Sequence, residues 1–359
     1  MAATLPELTR RLDDDFVNTW YDIRDMAVDN ILEATVFSLA LREYGVLKPQ
    51  IGGEFGWTDT VGYGKKTSQR FQEGSTLDQS APELDTFAKL DWRYFCVDIN
   101  RSLIDDSKNM GKFQIKSYLT RRMEAARNAL IQDLEMYLMQ WGAFYAAPLQ
   151  INGLWDIVAP VVALSSNVDG VAAVGNSDTY ASGTSNGGIS RANTWFRNWV
   201  QYDDASASKA NKIAGPTNEP YELNLVADLD HMYNSITNNQ ESPNFIMTTQ
   251  DIFEAYGAET RDKQQIVRTG FSRMAADLGF DTFTFRGATF SYNQQMPALH
   301  VVMLNMNYIE MNYHPNVWFE MTNWKETANQ FERVAYIVCM TPGLATSQPR
   351  RHGVSIYAS

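Results

Sequence analysis

The stretch from Met110 to Gly142 constrains this chain more than any other. Ile115, Leu119, Met123, Ala126, Leu130, Leu134, Tyr137 and Trp141 follow one another at intervals of 4, 4, 3, 4, 4, 3 and 4, the spacing of one helix face. Lys116, Arg121, Arg122, Glu124, Arg127, Asn128, Asp133 and Glu135 lie between them and read as the polar side. At 1.5 Å per residue such a helix is roughly 45 Å long, well above the usual length, and Gly142 ends it. A long helix with a narrow apolar stripe is predicted to lie across a sheet rather than inside a bundle.

The flanking segments differ in character. Residues 9–45 read as helical, with Leu12, Phe16, Trp20, Ile23, Ala27, Ile31 and Ala34 on one face and Gly45 and Pro49 ending the pattern. From Gln50 to about Asn100 the chain reads as a long two-stranded arm with a glycine-rich tip. Ala88, Leu90, Trp92, Tyr94 and Cys96 alternate there as a strand with one covered face would. An isolated ribbon is marginal in water, so cover from outside the monomer is expected. Residues 165–190, rich in Ser, Asn, Gly, Thr and Ala, read as a long loop.

Beyond it, helices are expected from about Glu222 to Ile236, through Tyr256, and over Gln264–Leu278. A hairpin should turn at Arg286-Gly287, with strands at Phe245–Met247, His300–Leu304, Ile309–Tyr313 and Val334–Cys339. Helices and strands mix without βαβ regularity, which predicts an α+β fold with mostly antiparallel sheet.

Composition narrows the function. Hydrophobic residues make up 44% and aromatic residues 12% of the 359, enough for a substantial core and large interfaces. The net charge of -12 argues against gripping nucleic acid, while an acidic wall suits a container that must not hold its contents. Cys96 and Cys339 are expected as two buried, reduced thiols. No segment reaches the ~18 apolar residues of a membrane span, and the N-terminus lacks the apolar core of a signal peptide.

The search for chemistry is negative: no catalytic, cofactor-binding or metal site is assigned, and no cofactor is called for. Gly183-Thr-Ser185-Asn-Gly187 matches the nucleophile-elbow pattern, but an elbow needs a strand before the serine and a helix after it. Here the serine sits in a polar loop. His231, His300, His314 and His352 form no metal-binding pair, and Asp228, Asp230 and His231 read as a solvated helix face. Arg350-Arg351-His352 is a basic cluster that suits an acidic partner, another subunit, packaged DNA or simple solvation.

The order of these elements resembles the major capsid proteins of tailed bacteriophages, with their HK97-like fold. Asn152-Gly153-Leu154 after the long helix, Gly187-Gly188-Ile189-Ser190-Arg191 leading to Asn193-Thr194-Trp195-Phe196-Arg197, and Phe245 to Tyr256 carry the likeness, with Met303-Leu304-Asn305, Tyr308-Ile309 and Arg350 to Val354. The resemblance implies an N-terminal arm over 1–48 and an extended loop over 49–100. It also implies a peripheral domain over 101–220 with the spine helix at 110–142, an axial domain over 221–330, and returning strands of the peripheral domain over 331–359. It implies self-assembly through hexamers and pentamers into an icosahedral shell around double-stranded DNA. Synthesis in the bacterial cytoplasm and residence in the virion follow. A portal, decoration proteins and a separate scaffolding protein are the implied partners, since the chain reaches arm-like sequence soon after Met1. Lys65 and Lys66 lie where some members form a cross-link, without a matching partner. Two other readings stay open: another virion component forming a ring or tail, and a serine hydrolase using Ser185.

Overall fold

The computed structural model describes residues 35–60, 72–74, 85–102, 117–139, 150–159, 179–180, 185–191, 196–203, 225–238, 240–260, 282–326 and 332–357. In chain order the elements begin with helix α1 (Val36–Glu43) and strands β1 (Leu47–Pro49), β2 (Phe55–Thr60), β3 (Asp85–Leu90) and β4 (Arg93–Ser102). Helices α2 (Ser117–Met139) and α3 (Leu154–Ile157) follow, then β5 (Thr179–Tyr180), β6 (Ser185–Asn186), β7 (Ile189–Ser190) and β8 (Trp199–Asp203). Next come α4 (Leu225–Ile236), β9 (Phe245–Thr248), α5 (Gln250–Thr260), β10 (Thr282–Phe285), β11 (Ala288–Tyr292), β12 (His300–Leu304) and β13 (Ile309–Tyr313). The last are β14 (Glu320–Met321), β15 (Lys325–Glu326), β16 (Glu332–Thr341), β17 (Gly343–Thr346) and β18 (Gly353–Tyr357).

A seven-stranded sheet in the order β10-β11-β9-β12-β18-β8-β5 organises these elements. Its central strands are buried along their length because both faces are covered. Alternation along each strand sends Met247, Val302 and Val354 to one core and Ile246, Val301 and Met303 to another. α4 and α5 close the second core with Leu225, Leu229, Met232, Ile252, Phe253 and Tyr256. The first core is shared with α1, α2, β4, β13, β16 and β17. The fold is α+β, as read from the sequence. β1–β13, β9–β11 and β8–β18 pair in parallel, and the other ladders among the described residues are antiparallel.

The hairpin between β10 and β11 turns at Arg286-Gly287, with φ of 49 and 88. Two positive φ values give the turn whose twist matches the strands. Arg286 tolerates its strained backbone because its side chain is anchored. It pairs with Asp230 at 2.8 Å, donates to Asn234 at 2.7 Å and lies over the Tyr233 ring.

The apolar stripe of α2 runs as predicted through Ala126, Leu130 and Leu134, all buried. It then swings round the helix. Leu138 and Met139 are buried, whereas Tyr137 is half-buried, edge-on to Phe95 at 5.6 Å. The helix lies across β4, which pairs with β16 in a long ladder from Arg93↔Thr341 to Ser102↔Glu332. Ile99, Ala335, Ile337 and Cys339 face the helix from this second sheet.

Several expectations are corrected. Residues 9–34 of the expected N-terminal helix lie outside the described residues. Its last part is a separate helix, because Thr35 is extended (φ -129, ψ 150) and caps α1 through its hydroxyl. The predicted end holds: Gly45 (φ 67) donates to Arg42, and Val46 donates to Leu41, in a left-handed cap.

The single strand read through Ala88, Leu90, Trp92, Tyr94 and Cys96 is two. β3 pairs with β2, from Phe55↔Leu90 to Thr60↔Asp85, while β4 joins β16. The chain breaks at Asp91-Trp92 and the side-chain phase inverts there. Ala88 points inward before the break, but Phe95, Val97 and Ile99 do so after it, leaving Tyr94 and Cys96 exposed. Only Cys339 is therefore the buried thiol that was expected; burial pushes its pKa up.

The returning strands also divide between sheets. β16 pairs with β4, whereas β18 lies between β12 and β8 in the seven-stranded sheet, every residue buried. The 264–278 helix, Gly142, most of the 165–190 loop and the Lys65-Lys66 pair lie outside the described residues.

A close backbone joint lies at Gly343. Its φ is 94, and a Cβ there would sit 2.3 Å from the Asn152 carbonyl oxygen. Asn152 in turn donates to Pro342 and accepts from Leu344, which fixes the start of α3 against β17. Gly343→Ala combines left-handed strain with a backbone clash and is expected to destabilise the protein by roughly 3 kcal/mol. Gly287→Ala, which meets open space, should cost about 1 kcal/mol. Chemical denaturation of both variants measures the difference.

Candidate assembly interface

The ribbon formed by β2 and β3 has two unlike faces. On the inner face Ala88 is fully buried against Ile189 and Phe196, and Phe55 is buried at the root. The Lys89 amide donates to the Gly187 carbonyl at 3.0 Å. On the outer face the Phe87 ring lies across Gly56, where a Cβ would approach the ring to 2.1 Å. Phe87 nevertheless remains 63% exposed. Tyr94 is equally exposed just beyond the break, and Ile51, before the ribbon, is 78% exposed. These are the large apolar side chains that the described residues leave to solvent. One face of the ribbon is thus covered from within the chain, and Phe87 on the other is open.

The inner cover comes from the segment singled out in the sequence. Gly187 and Gly188 take φ of 58 and 85 and reverse the chain between β6 and β7. Ser185 therefore sits in a two-residue strand followed by a turn and another strand. A nucleophile elbow requires a helix at that point, so the match carries no catalytic geometry. The turn throws Arg191 back beneath α3, where it is buried and donates to the carbonyls of Asp156 (2.6 Å) and Ile157 (3.0 Å). Burial pulls its pKa down to about 10, and neighbouring Asp156 opposes the shift. Asp156 also accepts from the Gly153 amide at 2.8 Å, and the Asn198 side chain both accepts from and donates to the Ala159 backbone. The ribbon is thereby tied through the hairpin and Arg191 to α3 and the main core. Asn193, Thr194 and Trp195 lie outside the described residues.

Within the basic cluster at 350–352, Arg351 and His352 face inward. Arg351 is buried and pairs with Glu241 at 2.8 Å, donates to Asn238 and Gln348, and lies over the Tyr308 ring. His352 is fully buried. It accepts from the Asn305 amide at Nδ1 (3.2 Å), so Nε2 carries the proton and donates to Thr346 Oγ1 at 2.9 Å. Arg351 and His352 are thus neither solvated nor available to DNA; they lock β18 to the 238–241 and 305–308 segments.

The helix-face group is half-buried rather than solvated, with Asp230 paired to Arg286 and His231 against Trp199. His300 and His314 are half-buried, and each lies edge-on to a tryptophan. No group of His, Cys, Asp and Glu among the described residues could hold a metal ion. No described helix is long and apolar enough to cross a membrane.

Glu135 was missed. It was read as part of the polar face of α2, yet it is buried and bonded to Thr35, Ser38 and Asn293. Its position was legible from Leu138 and Met139, the apolar residues three and four places on.

No protein-family model and no curated protein matches this sequence. Solved structures do. A chain of the cyanophage A-1(L) capsid asymmetric unit is similar over 89% of this chain and 92% of its own, at 12% identity and a TM-score of 0.58. The capsid of cyanophage P-SCSP1u is similar over 90% of this chain and 88% of its own, at 10% identity and a TM-score of 0.50. The chain has the HK97-like capsid fold.

Two measurements check the anchors. Phe196→Ala should cost about 3 kcal/mol and raise amide exchange across β3 more than across β9. His352 supplies a pH signature. Burial and neighbouring Arg351 push its imidazole from 6.5 down to about 3. Between those values the unfolded chain binds a proton that the folded chain does not, so stability falls as pH falls through that window. The slope contributed is up to about 1.4 kcal/mol per pH unit. His352→Gln should remove that part of the slope, read by denaturation across the same range.

Proposed function

We propose that this chain is the major capsid protein of a tailed bacteriophage, a subunit that assembles through hexamers and pentamers into an icosahedral shell around double-stranded DNA. The observation that carries this reading is the ribbon. A fold shared with a cyanophage capsid structure comes here with a two-stranded ribbon fastened on one face and exposing Phe87 on the other. A second copy of the chain is the natural cover for Phe87, Tyr94 and Ile51, since aromatic anchors dominate such interfaces. Repeated contacts between unlike surfaces close into rings.

In this assignment residues 1–48 form the arm and 221–330 the axial domain, while 101–220 form the peripheral domain around the spine helix α2. The extended loop ends near Leu90, and β4 belongs with β16. The protein is made in the bacterial cytoplasm and resides in the virion. The fold and the buried ribbon root support a role without substrate chemistry. A separate scaffolding protein, a portal and decoration proteins are its proposed partners.

Electron microscopy of the purified protein, alone and with its scaffold, tests the reading. Closed shells, or hexamers and pentamers, are expected; a protein that stays monomeric under both conditions overturns it. Phe87→Ser should alter subunit stability by about 1 kcal/mol at most while strongly reducing the yield of shells. Equal yields would remove the ribbon from the interface.

A further inference from the structure

Glu135 sits where three parts of the chain meet, at 4% exposure. Thr35 Oγ1 donates to its Oε2 at 2.7 Å and Ser38 Oγ does so at 3.3 Å, both from the start of α1. The Asn293 amide, from the turn after β11, donates to Oε1. Asn293 is itself fixed, since its Oδ1 accepts from the Gln295 backbone N–H at 2.8 Å and its own backbone N–H donates to the Thr248 carbonyl at 2.9 Å. Among the described residues, the surroundings of this carboxyl hold hydroxyls and an amide but no cation. α1 brings Thr35 and Ser38, the turn brings Asn293, and among the described residues no neighbouring charge contributes to the state of the group. Burial raises its pKa and the three side-chain hydrogen bonds oppose that rise. A buried carboxylate held only by neutral donors is costly, so the site favours a neutral form if the network accommodates the proton.

The network does. Thr35 and Ser38 hydroxyls lie 2.7 Å apart, with either able to donate. With Glu135 ionised, both hydroxyls point toward the carboxylate. With Oε2 protonated, that proton is donated to Thr35 Oγ1, Thr35 turns its own to Ser38, and Asn293 still donates to Oε1. Two hydroxyl rotations absorb one proton, and no heavy atom moves.

We propose that Glu135 is a proton-operated joint between α1, α2 and the 293 turn, gripping α1 more firmly when its carboxyl is protonated. The joint is a property of the single subunit and does not rest on the shell reading. Because the folded state prefers the protonated carboxyl, stability gained at acidic pH is lost as pH rises toward the folded-state pKa.

Hydrogen exchange on the full-length protein, corrected for intrinsic rates, tests this between about pH 5 and pH 8. Protection of α1 in the wild type should rise as pH falls, up to about tenfold for each unit by which the carboxyl is raised. In Glu135→Gln, which mimics the protonated acid, that part of the pH dependence should vanish. Matching profiles in wild type and variant overturn the proposal. Infrared spectroscopy of wild-type protein carrying isotopically labelled glutamate carboxyls decides without a variant. A protonated glutamate band should persist at pH values where exposed glutamates are ionised, and its absence across the range refutes the joint.

Discussion

Burial of the seven-stranded sheet on both faces is the constraint from which the other elements take their places. Because each central strand must satisfy two cores at once, its residues are buried in succession, and its position in the sheet is fixed by pairing on both edges. β18 shows this most clearly. It is held by β12 on one side and β8 on the other while sending Val354 to one core and Tyr357 to the other. A strand from the end of the chain thus binds the segments on either side of α4 into one sheet. The long helix α2, the small sheet around β16 and the ribbon attach to that centre.

The elements with strong local signals were legible in the sequence. The stripe of α2, the β10–β11 turn, the β9–α5 succession and the glycine end of α1 all follow from spacing or turn chemistry. What was not legible depended on partners distant in sequence. The alternation of Ala88, Leu90, Trp92 and Tyr94 reads as one strand, because nothing local records that β3 pairs with β2 and β4 with β16. Leu138 and Met139 mark the side of α2 on which Glu135 lies, but the donors that hold it are 100 and 158 positions away. Arg351 and His352 look like a surface cluster until Glu241, Asn305 and Thr346 are brought beside them.

The candidate interface follows the same division. Glycine and aromatic richness suggested a ribbon needing cover. Which face was already covered was set by Ile189 and Phe196, a hundred residues further along. The segment carrying the GGISR motif turned out to matter for anchoring: its turn delivers Arg191 to the end of α3 and Ile189 to the back of the ribbon. Polar residues inside this protein act as ties between elements, with Arg191, Asn198, Arg351 and Glu135 each joining segments that the apolar cores alone would leave free to slide.

The phase inversion at Asp91-Trp92 separates two kinds of evolutionary freedom. Beyond the root, strand pairs can be added to or removed from the ribbon in equal numbers without disturbing the body, because both strands lengthen together. The short link is different. Side chains alternate sides, so one residue gained or lost between β3 and β4 would turn Phe95, Val97 and Ile99 away from the core or turn Ala88 away from Ile189. The reach of the projection is therefore open to drift, while the parity of its connection to the body is held fixed.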